Sequence, residues 1–204
     1  MQIFLACEND CLYGFDFNSA DEQTDQNGFR VIYHKDIITD TSLLISDDDI
    51  PCDSFSSDEY DFPLKKEFIL CAEEPDKCPA TPNDYRFSNA LVSSYSEIMG
   101  QEVSNYWNID GYDTLYDRCP ESVAFIGGYP RFTQSDPRED CPSLEGFDRV
   151  LFELGSLQGE EITSWGGHDF DIIWGDVGTG VFLIPAEKLR ACDFSEVVYN
   201  YDCG

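Results

Sequence analysis

Groups able to shuttle protons near neutral pH are scarce in this sequence. Its 204 residues contain only two histidines, His34 and His168, which leaves histidine catalysis two candidates. His34 lies in an apolar run. His168 sits in Gly166-Gly167-His168-Asp169; with Asp171 it offers metal donors, but one local turn does not complete a coordination set. Cysteine pairs of zinc spacing are absent too: no C-x-x-C occurs among Cys7, Cys11, Cys52, Cys71, Cys78, Cys119, Cys141, Cys192 and Cys203. There is no G-x-S-x-G elbow and no local cysteine-protease signature. The glycine run Gly175-Asp176-Val177-Gly178-Thr179-Gly180 has no lysine and leads into an apolar run, whereas a phosphate loop opens a helix. No catalytic residue, metal or cofactor is therefore expected, and the expectation is a protein that is not an enzyme.

Positive charge is equally short. Twelve basic residues stand against 41 acidic ones, for a formal charge of -29. Residues 1–60 hold only Arg30 and Lys35 as cations. Such a surface repels nucleic-acid phosphates and anionic lipid heads and attracts cationic proteins, accelerating their association. Acids are so frequent that a close carboxylate pair carries no information. No apolar stretch approaches the roughly 18 residues of a membrane span. Nine cysteines, an odd number with no secretory signal ahead of them, point to reduced thiols and a cytoplasmic location.

What is present is a core. Apolar residues make up 42% of the chain and aromatics 14%, enough for a single folded domain. Strands are expected over residues 2–5, 12–17, 29–34 and 68–71, each rich in aromatic or β-branched residues. Residues 46–61, around Pro51, read as an exposed loop. Thr81-Pro82-Asn83-Asp84 reads as a helix start, with Phe87, Leu91, Tyr95, Ile98 and Met99 on one core-facing stripe and Gly100 as the stop. Residues 105–118 show no period. Val123–Ile126 and Val150–Leu154 read as strands. Ile172–Trp174 and Val181–Ile184 read as a hairpin about the glycine run. A short helix from Pro185 and a strand through Val197, Tyr199 and Tyr201 close the chain. Many short strands and few helices make the fold class α+β, with a mostly antiparallel sheet.

One loop stands apart. Gly127-Gly128-Tyr129-Pro130-Arg131-Phe132-Thr133-Gln134-Ser135-Asp136-Pro137-Arg138 carries two glycines and two prolines, which restrict the backbone path. It also holds two of the twelve basic residues. Either the arginines neutralise Asp136, Glu139 and Asp140, or the loop is a recognition surface.

The segments Ile126-Gly127-Gly128-Tyr129-Pro130, Phe132-Thr133-Gln134 and Asp136-Pro137-Arg138 resemble the signature of the YwqG-like family, a bacterial domain family of unknown function. Ile173-Trp174-Gly175-Asp176 with Gly178, Gly180 and Phe182 resembles that family's tryptophan–glycine–aspartate hairpin. Tyr199-Asn200-Tyr201-Asp202-Cys203 resembles its closing strand, and residues 12–17 and 29–34 resemble its earlier strands. Phe152-Glu153-Leu154-Gly155-Ser156 lacks the usual glutamine, and a further N-terminal segment usual in the family is missing. The resemblance implies an internal duplication, with residues 1–60 the remnant of the first half and 120–204 the complete second half. A sheet short of strands, with an exposed edge open to homo-oligomerisation, is then expected. Some relatives lie near secreted-toxin genes, which implies an immunity role.

Two functions are consistent with these readings. The first is an interaction protein for a basic partner, an immunity protein in one version, with Tyr129, Arg131, Arg138 and Trp174 as anchors and Asp47-Asp48-Asp49 steering. The second is a small-ligand binder or enzyme using Gln134, Asp136, Arg138 and Asp176, and it requires that these four not be buried and mutually satisfied.

Overall fold

A computed structural model describes residues 1–6, 12–15, 17, 19–43, 62–64, 66–71, 81–116, 123–162 and 168–204. The acidic run Asp47-Asp48-Asp49, the loop expected over residues 46–61, Gly166-Gly167, the side chain of His168 and five of the cysteines lie outside the described residues. Cys71, Cys141, Cys192 and Cys203 are free thiols.

The described fold is α+β with antiparallel pairing throughout. Strands β1 (Gln2–Leu5) and β2 (Phe29–Ile32) form a two-stranded ribbon. Helix α1 (Tyr85–Met99) and the short α2 (Tyr112–Tyr116) follow. Strands β3 (Ala124–Phe125), β4 (Arg149–Gly155), β7 (Thr179–Ile184) and β8 (Val198–Asp202) make a four-stranded sheet in the order β3-β4-β7-β8. Strands β5 (Leu157–Ile162) and β6 (His168–Ile172) pair separately, and Leu64 bridges Ile172. The one-turn helix α3 (Pro137–Asp140) precedes β4, and α4 (Ala186–Ala191) connects β7 to β8.

The period-2 alternation of β7 and β8 explains why the four-stranded sheet is buried on both faces. Phe182, Ile184, Val197 and Tyr199 point one way, into a cluster with Phe29, Val31, Tyr13 and Trp174. Phe182 stacks on Tyr199 at 4.7 Å, and Phe29 from the ribbon closes over both. Val181, Leu183 and Val198 point the other way, against Phe132, Leu144 and Phe147. A register shift between Val150 and Phe152 marks a bulge in β4. Beyond it, Leu151 and Leu154 belong to the first cluster, while Glu153 is buried.

Several expected elements take another form. Among the described residues of 12–17 there is no strand: Leu12–Gly14 is a turn, with Tyr13 at φ 52° and Gly14 at φ 78°, and two successive left-handed residues end any extended run. Residues 68–71 pair with nothing described, and Ile69 is 93% exposed. The apolar stripe of α1 is not core. None of its residues is buried, and Ile98 and Met99 are 80% and 59% exposed. The helix starts at Tyr85, with Asp84 as N-cap in place of Thr81, and ends at Gly100 in the left-handed region as expected. The glycine run is not a hairpin. β6 pairs with β5, whereas β7 pairs with β4 and β8, so residues 173–178 carry the chain from one sheet to the other. Strands β3 and β8 end the larger sheet, and among the described residues no strand pairs beyond them.

Two glycines allow the turn at residue 14 to touch the start of β2. A Cβ on Gly28 would lie 1.9 Å from the Gly14 carbonyl oxygen, and one on Gly14 would lie 2.0 Å from that of Gly28. Gly28→Ala is therefore expected to destabilise the protein by about 2 kcal/mol, through forced separation of two backbones. A thermal melt checks this: an unchanged midpoint would mean that the crossing is not needed.

Candidate functional site

The loop 127–138 is built by backbone constraint at one end and by buried charge at the other. Gly127 and Gly128 both hold positive φ, 78° and 77°, which suits glycine. The loop then lies against the segment that starts α1. Thr81 Oγ1 donates to the Pro130 carbonyl at 2.7 Å, and Asn83 Nδ2 donates to the Phe132 carbonyl at 2.8 Å.

At the far end Asp136 caps α3. Its Oδ1 accepts the Arg138 backbone N–H at 3.0 Å and Arg138 Nε at 2.8 Å, while Oδ2 accepts Nη2 at 2.6 Å. Asp84 repeats the device at the start of α1. Its Oδ1 accepts the Arg86 backbone N–H at 2.9 Å and Nε at 3.0 Å, and its Oδ2 accepts Nη2 at 2.6 Å. The two halves are cross-linked: Arg138 Nη2 also donates to Asp84 Oδ2 at 2.9 Å, and the Tyr85 N–H donates to Asp136 Oδ2 at 3.1 Å. Arg138 Nη1 reaches the Phe147 carbonyl at 3.0 Å. Burial pushes the Asp84 carboxyl up, but hydrogen bonds and charge from Arg86 and Arg138 outweigh it and hold the group below its usual value. Burial opposes charge on Arg138, and the two carboxylates overcome it.

This network decides the fate of two expected contact residues. Asp136 and Arg138 are 4% and 1% exposed and satisfy each other, so they hold α1 and α3 to the loop and present nothing to a partner. Trp174 is also 1% exposed, edge-on to Tyr13 at 5.5 Å and part of the main core cluster. The other nominated residues are at the surface or near it. Tyr129 is 41% exposed with the Arg86 guanidinium 5.7 Å from its ring. Arg131 is half-buried, lying 4.2 Å over the Phe125 ring. Gln134 and Asp176 are exposed. The seven do not converge on one cleft.

Two acids that the sequence reading did not nominate are more unusual. Glu153 is buried in β4; it accepts the Arg131 N–H at 3.0 Å and lies 3.5 Å from Arg131 Nε. Burial raises its pKa to about 7, partly countered by those Arg131 contacts. Asp202, at the end of β8, accepts the Gln134 N–H at 2.8 Å through Oδ2, and burial raises its pKa as well. Gln134 Nε2 donates to the Cys203 carbonyl at 2.5 Å. Asp202 and Gln134 share a groove of about 330 Å³ with Phe15, Phe17, Gln23 and Asn200. A second, more apolar hollow of about 250 Å³ lies between Ile3, Leu5, Leu64, Phe68 and Trp174. One signal in the sequence marks the network: Asp-x-Arg occurs at 84–86 and 136–138, each time three residues after a threonine. None marks the groove, whose polar groups come from a loop, a turn and a strand far apart in the chain.

Among the described residues no group of three or more histidine, cysteine or acidic side chains could hold a metal ion, and no helix is long and apolar enough to cross a membrane. Comparison with curated proteins finds no match. A family model does match, over residues 1–203, and on that extent the chain belongs to the family described as a domain of unknown function, DUF1963.

Proposed function

We propose that this chain, a YwqG-like member of its family, is an acidic cytoplasmic protein that binds a basic protein partner and acts in the manner of an immunity protein. The observation that carries the reading is how the cations are used. Arg86, Arg131, Arg138, Lys66, Arg149 and Lys188 all pair with carboxylates of the same chain. Those six cations engage seven acids, Asp84, Asp136, Asp148, Glu153, Asp171, Asp193 and Glu196, a small part of the 41 in the sequence. A cationic partner would meet the field of the net charge at long range, so its association would be fast and salt-sensitive. Tyr129, with its ring partly exposed beside Arg86, is a suitable contact residue. The recurrence of the Asp-x-Arg cap supports an internal duplication, with 81–86 the counterpart of 133–138.

Affinity capture from the source cell tests the reading. At about 50 mM salt one basic protein is expected in stoichiometric yield, and at about 300 mM the yield is expected to fall at least tenfold as screening shortens the reach of the field. Recovery of no basic protein at low salt, or recovery indifferent to salt, would reject it.

A further inference from the structure

The groove beside β8 contains polar groups that the fold does not use. Gln23 is 3% exposed, and its Nε2 donates to Asn200 Oδ1 at 3.3 Å, yet its Oε1 has no hydrogen-bond partner among the described residues. Asp202 accepts the Gln134 N–H through Oδ2, and Thr133 donates to the same carboxylate from its N–H and its side chain, yet the buried Oδ1 has no partner among the described residues. Leaving a buried acceptor unmet costs about 1–3 kcal/mol, and native proteins rarely keep two beside one cavity. Both residues line the same groove of about 330 Å³, and its walls include the rings of Phe15, Phe17 and Tyr201.

The chemistry of the missing donor follows from charge. No lysine or arginine among the described residues forms an ion pair with Asp202. A carboxylate oxygen without a donor, beside aromatic faces, suits a cationic N–H group, which gains a charge-assisted hydrogen bond and ring contacts together. Gln23 would serve by either end of its amide, so Asp202 alone sets the sign of the ligand. An anionic ligand would face Asp202 with no cation to offset it.

We propose that the groove formed by Phe15, Phe17, Gln23, Asn200, Tyr201 and Asp202 binds a single alkylguanidinium or alkylammonium head. This deepens the reading above, on which the head is an arginine or lysine side chain of the basic partner; the same chemistry is offered by a free polyamine.

The test titrates the full chain with N-acetyl-arginine amide, with its uncharged isostere N-acetyl-citrulline amide, and with agmatine, following amide resonances by heteronuclear NMR. The arginine compound is expected to shift the resonances of Gln134, Tyr201 and Asp202, and the citrulline compound to bind at least about tenfold more weakly. Asp202→Asn, which keeps an acceptor for the Gln134 N–H, is expected to weaken binding of the arginine compound at least about tenfold with an unchanged melt. Phe17→Leu, which removes an aromatic wall, is expected to weaken it at least about tenfold while the protein stays folded, with a lower melt because Phe17 also packs against the core and Phe15. Equal binding of the charged and uncharged compounds, shifts confined to other parts of the surface, or full binding by both variants overturns the proposal. The source is settled separately. If Asp202→Asn no longer captures the basic protein, the head belongs to that partner. If agmatine binds at least about tenfold more tightly than the arginine compound and no protein is captured, the groove stands and the partner reading falls.

Discussion

Arg138→Met is expected to destabilise the protein by about 3–5 kcal/mol, because it leaves carboxylates buried without their cation. Asp136 is 4% exposed, and its other partners are backbone N–H groups. Asp84 would keep Arg86, so the uncompensated charge would be that of Asp136. For a chain of this length the loss corresponds to a fall in Tm of roughly 6–20 °C. Denaturant unfolding measures it, and a loss below about 1 kcal/mol would show that the network contributes little. Two companion variants separate charge from shape. Arg138→Lys keeps the charge but not the fork that meets both oxygens of Asp136, and should fall between wild type and Arg138→Met. Adding Asp136→Asn to Arg138→Met should recover part of the loss, since a neutral amide is far cheaper to bury than an unpaired carboxylate. If the double variant is worse than Arg138→Met alone, buried charge is not the cause.

The same network explains why residues of strong binding character need not be binding residues. Arginine and aspartate in a glycine- and proline-constrained loop read equally well as a recognition surface or as an internal clamp. Local sequence does not separate the two, because the deciding partner of Arg138, Asp84, lies 54 residues upstream. With both acids and both arginines present, the clamp is neutral and internally satisfied, and it holds α1 to the loop. The clamp therefore adds no net charge to the -29 of the whole chain.

The parts of the fold that were legible in the sequence are those where one local signal suffices. Alternation in β7 and β8, the aliphatic run of β4 and the Gly100 stop each fix an element without help from distant residues. Where the outcome depended on a remote partner, the reading failed. Leu12–Phe17 alternates like a strand, but Tyr13 is drawn under Trp174 and Tyr201 and turns the chain there. Ile172–Trp174 and Val181–Ile184 flank a glycine run like hairpin arms, but Gly180 lies against the Trp174 ring, where a Cβ would come within 2.6 Å, so the indole packs across β7 and its strand pairs elsewhere. Phe68–Cys71 has strand composition and no described partner. For the candidate site, Gln134 was legible from its place in the constrained loop. Gln23 and Asn200 were not, since a polar residue becomes notable only when burial leaves it short of partners.

Glu153 carries the second large effect, and its sign is opposite to the first. The ordinary carboxyl value near 4.5 is raised to about 7 in the fold, mainly by burial. Between those two values the native protein binds a proton that the unfolded chain has released, so stability falls as pH rises through this window and the penalty is constant above it. At about 1.4 kcal/mol for each unit of pKa difference, the penalty at pH 8 is about 3 kcal/mol. Glu153→Gln keeps an oxygen for the Arg131 N–H and cannot ionise; glutamine is also what the family resemblance expects in this strand. The variant should match wild type at pH 4, where the acid is neutral in both states, and exceed it by about 3 kcal/mol at pH 8. Unfolding curves at the two pH values decide the matter. A variant less stable than wild type at pH 8 would mean that the ion pair with Arg131 outweighs desolvation. In that case Glu153 would be a second closed clamp behind the loop, comparable to Arg138, instead of a weak point beneath it.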